Sequence, residues 1–172
     1  MSDLLKKLGL TEPVILDGAW GTELQKAGLA PGESPERWNL EHPDRVLAVA
    51  RSYVSAGSRV ILTNTFGGNR FVLEGAGLAG QVAEINRRGV EISRQAASGR
   101  ALVFASIGPT GKMLMAGEVT EDEVAEAFRA QAVALQAAGA DGLVVETMTD
   151  IEEARLAVAA AKATGLPVVG SM

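Results

Sequence analysis

A chain of 172 residues with 47% hydrophobic residues can bury one core, and with only 4% aromatics that core must be largely Ala, Val, Leu and Ile. A net charge of −5 with scattered basic residues argues against a nucleic-acid surface. Cysteine is absent, which excludes disulfides and thiolate metal ligands within the chain and fits a reducing compartment. No apolar run reaches the roughly 18 residues of a membrane span, and Met1–Lys7 is too short and polar for a signal peptide. A cytoplasmic protein without a membrane partner is expected.

Pro13-Val14-Ile15-Leu16 reads as a first strand that breaks at Asp17-Gly18. A long loop with Gly28, Pro31, Gly32 and Pro35 follows, of the length often reserved for function. Pro43-Asp44 opens a helix through about Ala56, with Val46, Val49, Ala50 and Val54 at helical spacing. A second strand is expected over Arg59–Thr63, then a loop from Phe66 to about Gly80 and a helix to roughly Ala97. Ala101–Ala105 reads as the third strand and Gly142–Val145 as the fourth. The helix between them starts at Thr120 with Glu123 at capping-box spacing and ends before Gly139. The spacing of Thr149 and Glu152 predicts a second capping box, for a helix that stops at Gly165. Pro167 then opens a fifth strand, Val168–Met172.

The strands are near-continuous apolar runs, the pattern of a parallel sheet covered on both faces, and the helices supply right-handed crossovers. Polar residues gather after each run, where β/α barrels keep their chemistry. The stretch Ala56–Thr65 is echoed by Ala138–Thr147, which puts Asn64 and Glu146 at equivalent strand ends. The expected fold is α/β, of the parallel (β/α)8 TIM-barrel type, as a single domain over 1–172. A chain with about strands one to five cannot close eight, so an incomplete half-barrel is expected.

Glu146 follows Leu143-Val144-Val145 at the end of a buried strand, where an unpaired carboxylate is costly. It needs a cation, either a substrate ammonium or an Arg or Lys of the protein. Asp17 reads either as a carboxylate at the barrel mouth, beside free amides at Gly18 to Gly21, or as an ordinary Asp-Gly turn. Thr63-Asn64-Thr65 offers hydroxyl and amide groups to a ligand or to loop backbone. Gly108-Pro109-Thr110-Gly111 reads as a tight turn that admits close approach. Trp20 and Phe66 suit either a pocket wall or the core. The lone His42 reads as loop-exposed, and no metal-ligand spacing accompanies it. No Walker-type loop and no Ser-His-Asp set is visible.

Four of these stretches, in order, resemble the homocysteine S-methyltransferase family. That family includes the homocysteine-binding domain of cobalamin-dependent methionine synthase, and betaine–homocysteine methyltransferase. The stretches are Leu16–Glu23, Leu62–Asn69, Ser106–Gly111 and Glu146–Asp150. The resemblance runs from about residue 12 to 172. It implies a barrel with homocysteine at its mouth. It also implies that Asp17 and Glu146 meet the substrate amino group and that the amides around Gly18 and Ala19 meet its carboxylate. Asn64 and Thr65 fall in the second motif and join the expected substrate-binding set. No residue of this chain is expected to be catalytic.

The family binds the homocysteine sulfur through zinc held by three cysteines, so zinc is expected in a complete barrel, with its ligands outside this chain. Cobalamin, betaine and S-methylmethionine all remain open as the source of the methyl group. The resemblance thus implies methyl transfer to the homocysteine thiolate, giving methionine, with this chain as the substrate-binding part of a truncated enzyme. Two alternatives stand beside it. One is a non-catalytic half-barrel that self-associates through its open edge. The other is an unrelated β/α-barrel lyase using Asp17 and Glu146 as acid and base.

Overall fold

The computed structural model describes residues 13–172. Met1–Lys7, read above as too polar for a leader, lies outside the described residues. Four parallel strands form one sheet in chain order: β1 (Val60–Ile61), β2 (Leu102–Ile107), β3 (Gly142–Val145) and β4 (Val168–Gly170). The helices are α1 (Trp20–Lys26), α2 (Trp38–Glu41), α3 (Pro43–Ala56), α4 (Arg70–Gly75), α5 (Val82–Ala97), α6 (Glu121–Ala137) and α7 (Ile151–Ala163). Helical crossovers join each strand to the next, as parallel pairing requires. The described residues therefore form a four-stranded parallel α/β sheet with the layout of part of a β/α barrel.

The expected first strand shrinks to one bridge, Leu16 with Val60. Backbone bonds from Arg59 N to Ile15 O (2.9 Å) and from Asp17 N to Val60 O (3.1 Å) hold it. It pairs on one side only among the described residues, and Ile15 and Leu16 are 71% and 46% exposed. The second strand ends early for a different reason. The Leu62 N–H leaves the ladder and donates to Asp17 Oδ2 at 2.7 Å. Conversely, the third strand outruns its expected end at Ala105, because Ser106 and Ile107 pair with Val144 and Val145.

Both long loops contain helix. In the second, Asn69 Oδ1 accepts the N–H groups of Phe71 and Val72 and so starts α4. Thr120 and Glu123 form the expected capping box at α6. The box expected at Thr149 does not form. Asp150 caps α7 instead, accepting from Glu152 N and Glu153 N. Glu153, the residue that such a cap needs, is buried and turned toward Thr110.

The largest core cluster joins β2 and β3 to α6 and α7 through Ile107, Phe128, Leu135, Leu143, Val145 and Leu156. A smaller cluster of Val60, Phe104 and Val144 lies among the strands. Gly142 makes it possible, since a Cβ there would meet the Phe104 ring at 2.6 Å. The β4 side is less covered, with Ile151, Val169 and Met172 exposed. Among the described residues no helix is long and apolar enough to cross a membrane.

Candidate active site

The sheet delivers its polar residues to one end. The turn after Asp17, the segment that follows β1, Ser106 near the end of β2 and Glu146 just past β3 meet around a cleft of about 320 Å³. Its lining includes Gly18, Ala19, Trp20, Glu36, Asn64, Phe66, Ser106 and Glu146. Trp20 and Phe66 therefore both face the cleft. The Phe66 ring reaches its place because residue 108 is glycine: a Cβ there would sit 2.5 Å from the ring. The close approach expected at the Gly108 turn is thus made by an aromatic side chain of the same chain.

Asp17 directly precedes the lining residues Gly18 to Gly21. Its Oδ2 accepts from Leu62 N at 2.7 Å and from Trp20 Nε1 at 2.8 Å. One carboxylate oxygen thus fixes the start of the site, and Oδ1 has no side-chain hydrogen-bond partner among the described residues. Burial pushes the Asp17 carboxyl above its ordinary 3.8, the two N–H donors pull it back, and the charge of Glu146 adds to the rise. The folded state therefore holds this proton more tightly than the unfolded chain. Its contribution favours folding below 3.8 and is lost as pH climbs through the raised folded value.

Glu146 is half-buried just past β3, and its Oε1 accepts from Ser106 Oγ at 2.5 Å. Among the described residues neither Asp17 nor Glu146 has an ion-pair partner in the protein, so the Arg or Lys reading of Glu146 finds no support there. Gly18 and Ala19 contribute backbone. Ala19 precedes α1 without a side-chain cap, so among the described residues no side chain takes the first N–H groups of that helix. Tyr53 Oη donates to Ala19 O at 2.9 Å and braces this turn from α3.

Of the two uses open to the Thr63–Thr65 segment, its polar groups show bonds within the protein. Asn64 lines the cleft, but its amide donates to Pro35 O (2.7 Å) and Asn39 Oδ1 (2.9 Å). Thr65 is fully buried outside the cleft lining, with its hydroxyl donating to Ser106 O at 2.8 Å. The cleft lining thus includes Gly18, Ala19, Asn64 and Glu146; Asp17 adjoins it through Gly18 and feels the charge of Glu146, and Thr65 lies outside it. It adds Ser106, which lies in a quoted motif yet received no role, and Glu36, which nothing local in the sequence marks. His42 also departs from its expected exposure. It is half-buried and packs edge-on against Trp38 at 4.9 Å, because Pro43 begins α3 directly after α2.

Asp17 and Glu146 set two carboxylates beside uncapped backbone amides and an aromatic wall, at the strand ends of a parallel α/β sheet. Such a site offers carboxylate acceptors to a cation and backbone N–H groups to an anion. A profile of the homocysteine S-methyltransferase family matches residues 14–172. The chain belongs to the homocysteine S-methyltransferase family.

It is 34% identical over 177 residues to betaine–homocysteine S-methyltransferase 1 of Sus scrofa, covering 98% of this chain and 62% of that one. It is 31% identical over 169 residues to methionine synthase of Mycobacterium leprae (strain TN), covering 91% of this chain and 14% of that one. The homocysteine methyltransferase MmuM of Escherichia coli, in its metallated form, superposes with a TM-score of 0.81 at 25% identity, over 95% of this chain and 64% of that one. The chain thus spans less than two thirds of each relative's length.

The zinc that the resemblance implies finds no fitting ligands here. The chain has no cysteine and one histidine, and the described residues bring together no three His, Cys, Asp or Glu side chains that could hold a metal.

Proposed function

We propose that this chain is the homocysteine-binding part of a homocysteine S-methyltransferase that closes a (β/α)8 barrel in its full form. The observation that carries this reading is Glu146 on the cleft wall, with Asp17 beside the lining and near enough to feel its charge, and with no ion-pair partner for either among the described residues. A substrate ammonium supplies that cation, with Glu146 as its main partner and Asp17 Oδ1 as the second. The amides of Gly18 and Ala19 and the start of α1 receive the substrate carboxylate. Trp20 and Phe66 flank the aliphatic part. Asn64 and Thr65 serve the site by shaping its wall.

In this reading the thiol, any zinc that activates it and the methyl donor engage residues beyond these 172, and the product is methionine. The exposed Ile151, Val169 and Met172 then meet further barrel strands or, failing these, a second copy of the chain.

The test is calorimetric titration with L-homocysteine and with 4-mercaptobutyrate, its analogue lacking the amino group. Homocysteine is expected to bind at least about tenfold more tightly at neutral pH, the worth of one charge-assisted hydrogen bond. An ammonium beside Asp17 lowers its raised pKa, so homocysteine binding in weakly acidic buffer should release protons, and affinity should fall as Asp17 protonates. The Asp17→Asn variant should lose that pH dependence. Equal affinity for the two ligands would overturn the assignment.

A further inference from the structure

Glu36 is a buried acid that the reading above leaves without a task. It lies in the short helical turn Pro35–Arg37, is 3% exposed and lines the cleft. Its Oε1 accepts the Gly67 N–H at 2.7 Å, and its Oε2 accepts from Ser34 Oγ at 2.9 Å. Among the described residues it has no ion-pair partner. The adjacent Arg37 is turned away, donating to Ala76 O at 2.6 Å and pairing with Glu41 at 3.3 Å. A carboxylate left buried without a countercharge is costly, so its placement needs a reason.

The reason lies in what it joins. Gly67 is buried directly after Phe66, and Glu36 is the acceptor that its amide has among the described residues. The contact is tight, since a Cβ on Gly67 would lie 2.9 Å from Glu36 Oε1 and 2.8 Å from Val72 Cγ1. The same turn is held a second time from Asn64, whose amide donates to Pro35 O. Pro35 and Glu36 stand on one side of the cleft lining, and Asn64 and Phe66 belong to the segment they are tied to.

We propose that Glu36 is a positioning residue. Its carboxylate spans from the Pro35–Arg37 turn to the Gly67 amide and so holds the Asn64–Phe66 wall at the width the ligand requires. What matters is the reach of the side chain and its acceptor oxygen, more than its charge. The binding consequence rests on the homocysteine reading; the anchoring itself does not.

Two conservative variants separate reach from charge. Glu36→Gln keeps the length and an oxygen for Gly67, and its NH2 can meet the Ser34 hydroxyl. Glu36→Asp keeps the charge but is one methylene too short to span. By hydrogen exchange, Gly67 should stay protected in the Gln variant and lose about tenfold or more of its protection in the Asp variant, as for a buried amide left without an acceptor. Homocysteine affinity should stay within about threefold of wild type for Gln and fall about tenfold or more for Asp.

The reverse order, with Gln weak and Asp normal, would overturn the proposal in favour of a charge effect. Unchanged Gly67 protection in the Asp variant would overturn it outright, as would lost protection with unchanged affinity. If the wild-type protein binds no homocysteine, the functional reading fails by itself, and Gly67 exchange alone decides the anchoring.

Discussion

Replacing Glu146 by glutamine should weaken L-homocysteine binding roughly tenfold to a hundredfold while leaving 4-mercaptobutyrate binding unchanged or slightly tighter. The hydrogen bond from Ser106 Oγ to Glu146 Oε1 survives the change, because a glutamine amide can present its oxygen to the same hydroxyl. What is lost is the negative charge that would face the ligand ammonium. Hydrogen bonds to charged groups contribute about 1.5–3 kcal/mol, which gives the range stated. The analogue without the amino group never makes that contact. Calorimetry with both ligands reads the difference, and equal weakening for the two would mean that Glu146 shapes the cleft without recognising the ammonium.

Gly68→Ala should destabilise the fold by about 1–3 kcal/mol, the range for inserting a methyl into filled space. A Cβ at Gly68 would overlap Asn86 Oδ1 and lie 2.8 Å from Gln131 Nε2 and 2.9 Å from Thr65 O. None of these can move freely. Asn86 donates to Gly68 O (2.7 Å) and Val82 O (2.8 Å), and Gln131 donates to Thr65 O (2.8 Å), the first and last of these fully buried. Gln131 already has one buried acceptor, Oε1, without a donor among the described residues, so the network has little tolerance for losing another bond. Denaturant unfolding measures the loss. An alanine variant that unfolds at the wild-type midpoint would show that α5 and α6 hold the post-β1 segment less rigidly than these contacts require.

The sequence made the parallel α/β layout legible because β3, α3 and the start of α6 each carry strong local signals. An apolar run bounded by turns marks β3, Pro43 with its helical spacing marks α3, and Thr120 with Glu123 marks α6. The failures came where a tertiary partner took over a local group. Asp17 drew the Leu62 amide out of β1, and pairing with Val144 and Val145 carried β2 on through Ser106 and Ile107. The short helices α1 and α4 escaped notice because each is too brief to show a period.

At the site, Asp17, Gly18, Ala19 and Glu146 were readable as polar groups at strand ends. Ser106 was visible only as part of a motif, since its bond to Glu146 joins residues far apart in sequence. Glu36 could not be found locally at all. Its meaning depends on Gly67, which the fold brings to it from across the cleft.

The most direct test of the whole account is a crystal structure of the protein with L-homocysteine bound. The account predicts the ligand in the cleft between Trp20 and Phe66, its amino nitrogen at about 2.7–3.2 Å from Glu146 and reached by Asp17, and its carboxylate on the amides around Gly18 and Ala19. An amino group turned to solvent, or a ligand lodged instead beside Ile151 and Met172, would contradict it.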